Sequence, residues 1–192
     1  LNELNSFYRR SLKWSQHKHA RACLYGMSFA ESIFWPIPVD LMFAPLALSR
    51  PDRALILAFW TTFFSVVGAL VGYGLGHLLF EPVVAPMVEL LGYQEQMAFA
   101  AQWFQRWGFW MIFIAGFSPL PFKVFTISAG LFGIAIVPFI IMALLGRSLR
   151  FYVLAGLIKW GGKDLKRHLV KNALPYTWLM LFIAIACILL LG

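Results

Sequence analysis

Five ionisable residues stand within apolar runs of this chain: Glu31, Asp40, Lys123, Arg147 and Arg150. At membrane depth an unpaired charge costs about 3 kcal/mol on insertion scales, so such residues need partners or a task. Two carboxylates and three cations can offset one another. A carboxylate in a partly dry cavity can carry a proton at accessible pH. Guanidinium and ammonium groups at the same depth suit a phosphate, and arginine adds a planar two-pronged fork. Arg147 and Arg150 are three residues apart, so a helix puts them on one face. Arg147 also lies about 15 Å into an apolar run, near the centre of a bilayer. The set describes a site that handles an anionic head group and can couple it to protons. The other reading is a group of salt bridges that holds the fold together.

Two broken segments must position these side chains. Phe34-Trp-Pro-Ile-Pro-Val-Asp40 recurs as Phe117-Ser-Pro-Leu-Pro-Phe-Lys123, with the closing charge reversed. Pro36 and Pro38 in the first copy, and Pro119 and Pro121 in the second, cannot continue a helix. Each ring removes an N–H donor and forces the preceding residue to extended geometry. Paired breaks at corresponding places in two halves of an apolar chain point to a transporter's midplane site. Backbone freed at that depth survives only beside protein or water, so the two tips are expected to meet in a polar cavity.

Composition sets the medium. The chain has 192 residues, of which 61% are hydrophobic and 12% charged, and its mean hydropathy is +0.76. A soluble domain carries about 25% charged residues, so an integral membrane protein is expected. One domain spans 1–192, with a net charge of +8. Its cations suit an inner membrane face and anionic lipid better than nucleic acid. The two cysteines, Cys23 and Cys187, stand apart with no metal-ligand spacing, so neither a disulfide framework nor a metal site is expected. No cofactor is implied. The N-terminus is polar and basic rather than built like a cleavable signal.

Taken in order, 1–21 reads as a basic amphipathic helix on the membrane surface. Residues 22–80 form a first repeat: the broken segment 22–49, a polar turn, and an apolar helix over 54–80. That helix carries Gly68, Gly72 and Gly76 on one face, which allows close packing in lipid. Residues 81–108 read as an interfacial amphipathic linker anchored by Trp103 and Trp107. Residues 109–160 form the second repeat, with a broken segment over 109–136 and a helix over 137–160. Residues 161–192 give a basic loop and a last apolar helix. Lys and Arg number five in 1–21, two in 50–53, one in 81–108 and five in 159–171. If 22–49 and 109–136 turn back as re-entrant hairpins, every basic stretch falls in the cytoplasm and the acidic 81–108 falls outside. The expected fold is therefore all-α: an inverted repeat of two opposed re-entrant hairpins with about three transmembrane helices.

These motifs resemble the DedA family, also described by VTT or SNARE-associated Golgi protein domains. The resemblance rests on Phe29-Ala-Glu31 followed by Pro36-Ile-Pro38-Val-Asp40, and on Phe117-Ser-Pro-Leu-Pro-Phe-Lys123 followed by Ala129-Gly130. It covers about residues 25–160 and is closest to the YqaA-like branch. It implies lipid flipping or scrambling in a bacterial inner membrane, multi-pass with a cytoplasmic N-terminus. Phospholipid or polyprenyl phosphate head groups would be the partners, with protons as a coupling ion and a homo-oligomer compatible with the plan. The site residues would be Glu31, Asp40, Lys123, Arg147 and Arg150, with Pro36, Pro38, Pro119, Pro121 and Gly130 shaping the tips. Many family members carry two arginines around the second motif, where this chain has Gly116 and Phe122. An ion or proton-coupled antiporter on the same scaffold is the alternative. No His-Glu-x-x-His or Gly-x-Ser-x-Gly motif supports an enzyme, and a plain scaffold would not need five charges at depth.

Overall fold

The computed structural model describes residues 19–35, 37–118 and 120–160, without the side chain of Gln96. The expected surface helix over 1–21 falls almost wholly outside these residues, as do the basic loop and last helix over 161–192. Among the described residues the chain is helical and has no strand. The helices are α1 (Ala20–Glu31), α2 (Asp40–Ser49), α3 (Ala54–Leu79), α4 (Ala85–Leu91), α5 (Gln94–Phe117), α6 (Phe122–Leu131) and α7 (Ile136–Trp160). A short 3-10 turn, Pro51–Arg53, leads into α3, and a π-helical turn, Phe80–Val84, joins α3 to α4. The run Pro51–Leu91 and helix α7 are each long and apolar enough to cross a membrane. Helices α2 and α6 are ten residues each, about 15 Å at the standard rise, and are too short to do so.

The first break follows the sequence expectation. Helix α1 stops at Glu31 and α2 begins at Asp40. The second differs on its leading side. Residues 81–108 are not one linker helix: the π-helical turn carries α3 past Pro82, and α4 starts with Pro86 at an early position where its missing N–H leaves no bond unmade. Gly92, at φ 72°, ends α4 in the left-handed conformation that glycine adopts without a steric penalty. Helix α5 then runs unbroken for 24 residues, through Gly108 to Phe117. The limb before the second break is twice the length of α1, which has 12 residues.

Helix α3 is the spine, with α6, α7 and α1 as its main neighbours. Its glycine face explains the closeness. A Cβ on Gly68 would strike the Phe29 carbonyl of α1, and one on Gly76 would strike the Ile127 carbonyl of α6. Gly130 answers from α6, lying against the Tyr73 carbonyl. Gly116 of α5 and Gly146 of α7 make a second backbone-to-backbone crossing. Without an apolar driving force between helices in lipid, such close approach supplies the packing.

Two apolar cores flank these crossings. One joins Ala20 and Leu24, Phe43 and Leu46, Ala54 and Leu57, and Phe151 and Ile158. It therefore holds the start of α1, the end of α2, the start of α3 and the end of α7 together. The other joins Ala69, Phe104, Ile112, Phe122, Ala129, Ile134 and Phe139. It gathers the later half of α3, helices α5 and α6, and the start of α7. Buried polar groups lie along α1, α3 and the second break: Ser28, Ser32, Thr61, Thr62, Ser65, Ser118, Thr126 and Arg147.

The α3 crossing gives a direct check. Gly76→Ala should destabilise the protein by about 1–3 kcal/mol through overpacking against backbone. Gly74→Ala meets nothing within 4 Å and should be neutral or up to about 1 kcal/mol more stable, since alanine is the better helix former. Melting temperatures of the two variants in detergent test the contrast, and equal behaviour would contradict the close crossing.

Candidate functional site

Four of the five charges pair across the two halves of the chain. Glu31 is the last residue of α1, and its Oε2 accepts from Arg147 Nη1 of α7 at 3.3 Å. Asp40 is the first residue of α2. Arg150 Nε donates to Asp40 Oδ1 at 3.4 Å, and Arg150 Nη2 donates to Asp40 Oδ2. That is a two-pronged pair, the strongest arginine–carboxylate geometry. Arg150 Nη1 also donates to the carbonyl of Ser118, beside Pro119 of the second break. Arg147 and Arg150 share one face of α7, as their spacing requires, and so reach both carboxylates of the first break.

The two arginines are solvated differently. Arg147 is 1% exposed and Glu31 16%, whereas Arg150 is 14% and Asp40 21% exposed. The guanidinium of Arg147 lies over the ring of Phe122 at 4.2 Å and nearer the edge of contact with Phe151 at 5.9 Å. A cation held on an aromatic face gains about 2 kcal/mol when desolvated. Phe122 belongs to one apolar core and Phe151 to the other, so Arg147 bridges them. Its Nε and Nη2 have no hydrogen-bond partner among the described residues, nor do the hydroxyls of Ser118 and Thr62. These two nitrogens form the side of the guanidinium that grips two oxygens of one anion.

Lys123 is placed elsewhere. It is the second residue of α6, and its Nζ donates to the carbonyls of Phe34 at 3.0 Å and Trp35 at 3.4 Å. Its partners are backbone groups of the first break rather than the carboxylates. Thr126, one turn on, has its hydroxyl between the Lys123 carbonyl at 2.9 Å and the Ser32 carbonyl at 3.3 Å. Pro38 is exposed just ahead of α2, and Pro121 caps the start of α6. Pro36 and Pro119 lie outside the described residues. Gly130 sits near the far end of α6, where it packs on α3. No group of three metal-ligating side chains occurs among the described residues.

The sequence reading passed over the hydroxyl residues. Ser28 Oγ donates to the Thr61 carbonyl at 2.7 Å, and Ser32 and Ser65 share a hydrogen bond at 2.9 Å. The signal was a matched four-residue spacing, Ser28 of α1 with Ser32 at its C-cap, and Thr61 with Ser65 on α3. Phe122 was noted only as standing where an arginine is common, and its role as the platform for Arg147 depends on tertiary contact.

The VTT domain pattern matches residues 36–159, a span that contains Asp40, Lys123, Arg147 and Arg150 but begins after Glu31. A protein of Haemophilus influenzae described as uncharacterized is 38% identical over 180 residues, covering 94% of this chain and 93% of its own. A homologue from Histophilus somni, also described as uncharacterized, is 37% identical over 186 residues, 97% of each chain. A protein of Methanocaldococcus jannaschii is 25% identical over 127 residues, 66% of this chain and 76% of its own. No solved structure matches the chain.

The buried pair makes a measurable demand. Arg147→Met alone strands Glu31 and should cost about 3–5 kcal/mol. Adding Glu31→Gln should recover more than half of that loss. Strictly additive losses in a double-mutant cycle of melting data would show that the two are not coupled.

Proposed function

The chain belongs to the VTT-domain family, the DedA family, and from that membership we propose that it is a transporter that moves a phospholipid or polyprenyl phosphate between membrane leaflets. The observation that carries this reading is the buried side of Arg147. Its Nε and Nη2 present a fork without a protein acceptor among the described residues, while Nη1 is held by Glu31. A head-group phosphate is the anion whose two oxygens suit that fork. Arg150 has its own fork filled by Asp40, so the two arginines divide the work: Arg147 faces the substrate and Arg150 holds the second carboxylate.

The reading takes α1–α2 and α5–α6 as two re-entrant hairpins of an inverted repeat. Support comes from the two cores. The start of α1 and the end of α2 share one core with the start of α3 and the end of α7. Phe104 of α5 meets Phe132, just beyond α6, at a ring distance of 5.1 Å within the other. Each broken segment thus begins and ends beside the same core. Exposed Arg21, Arg50, Arg53 and Lys159 surround the first core, and exposed Glu81, Glu89 and Glu95 lie beyond the end of α3. By the positive-inside rule the first core is cytoplasmic, with the N-terminus on that side of a bacterial inner membrane.

Protons would enter through Glu31 and Asp40. Each is partly exposed and each holds an arginine. Protonation of either carboxylate would release its cation toward an arriving phosphate. This makes a phosphate and a carboxylate competitors for the same guanidinium group, and a proton on the carboxylate tips the competition toward the phosphate, which is a physical basis for coupling.

Translocation of a labelled phospholipid in liposomes, with and without a pH gradient, tests the function. Glu31→Gln and Asp40→Asn should each abolish transport at matched protein levels. Arg147→Lys keeps the charge but loses the fork, and should slow transport while melting stays near wild type. Normal rates in all three would return these residues to a structural role, and a proton flux without lipid movement would favour the antiporter. Orientation is tested separately. Ser49→Cys, with Cys23 and Cys187 replaced by serine, should be labelled from the cytoplasmic side, and labelling only from outside would reverse the topology.

A further inference from the structure

The first break leaves backbone carbonyls without backbone donors. Ala30 O collects the N–H groups of Ile33, Phe34 and Trp35, so the chain turns tightly after α1. The carbonyls of Phe34 and Trp35 take no backbone N–H among the described residues. Pro36 and Pro38 have no N–H to offer. A carbonyl in that condition takes another donor, and since Phe34 and Trp35 are both exposed a side chain takes the place of solvent there. The donors come from the opposite half of the chain. Lys123 Nζ serves Phe34 and Trp35, and Thr126 Oγ1 divides one proton between the Lys123 carbonyl at 2.9 Å and the Ser32 carbonyl at 3.3 Å. Lys123 and Thr126 are three residues apart, on one face of the first turns of α6. That face therefore closes the end of α1.

What lies behind this closure gives it a consequence. Glu31 precedes the capped carbonyls by one turn. Phe122, next to Lys123, lays its ring on the Arg147 guanidinium. The start of α6 cannot leave the end of α1 without also shifting the ring that covers Arg147. We propose that Lys123, backed by Thr126, is a latch between the two breaks, and that its release opens the Glu31–Arg147 region to solvent. The ammonium is suited to this task because it makes several hydrogen bonds from a flexible stem and can exchange carbonyls for water. In this role Lys123 is a positioning residue and not a phosphate ligand. The consequence for transport rests on the two-hairpin reading, but the latch itself can be measured without any lipid moving.

The reporter is Ser118→Cys in a protein with Cys23 and Cys187 replaced by serine. Ser118 is 4% exposed and sits at the second break. Labelling by a small cationic methanethiosulfonate should be slow in this background. Adding Lys123→Met removes two hydrogen bonds from a charged donor and should speed labelling about tenfold. Lys123→Arg retains charge and donors and should keep it slow. A control reporter, Ala58→Cys, is buried near the start of α3 within the first core. It should stay protected in Lys123→Met. An unchanged rate at Ser118→Cys would overturn the latch, and so would an equal rise at both reporters, which marks a loosened fold. A failed translocation assay with a clear rise at Ser118→Cys alone would overturn the transport reading and leave the latch standing.

Discussion

A guanidinium that is 1% exposed within an apolar helix has to be satisfied by protein, and much of this structure is arranged around that requirement at Arg147. Helix α1 must stop where Glu31 can reach Nη1. The second break must deliver Phe122 under the planar face. Phe151, one turn along α7, must stand close by, its ring 5.9 Å from the guanidinium. Gly116 and Gly146 must let α5 and α7 touch at backbone distance, since a Cβ on Gly116 would already meet Arg147 N at 3.3 Å. The conditions fall on α1, α5, α6 and α7 together. The residue that is hardest to bury thereby becomes the point where two apolar cores are tied together.

Small residues make that arrangement possible. Helix α3 offers glycines to α1 and α6, the Thr61 carbonyl to Ser28 of α1, and the Ser65 hydroxyl to Ser32 just past α1. These two hydrogen bonds give α1 direction as well as closeness, because each fixes a height on α3. Large apolar side chains are turned outward instead: Ile56, Phe59, Trp60 and Phe63 are all exposed on α3. In a soluble protein that pattern would be inverted. In a bilayer, lipid is the solvent for the outer face, and close packing must come from what is small.

Much of this was legible in the sequence because proline acts locally. Pro36, Pro38, Pro119 and Pro121 announced both breaks without knowledge of the fold, and α2 and α6 start just after them. The glycine spacing on α3 was legible for the same reason. The charges at depth could be picked out, because hydrocarbon tolerates few of them. Their pairing could not, since Glu31 and Arg147 meet only after two halves dock. Lys123 stood at the position equivalent to Asp40, and that equivalence suggested a shared site. The structure gives Lys123 to backbone carbonyls, whose need for donors is created by the opposite break. The length of α5 was also hidden. Gly108 and the surrounding tryptophans resemble an interface, yet nothing there stops a helix.

The pairing across halves bears on how the protein is made. Arg147 follows Glu31 by 116 residues and Arg150 follows Asp40 by 110. Both carboxylates leave the ribosome long before either arginine exists. The first broken segment cannot be buried during that interval without two uncompensated acids. Its burial must wait until α7 is in place. The two halves are therefore one unit of assembly, and α7 is the helix that permits the first broken segment to pack. Sequence order and order of completion run in opposite directions.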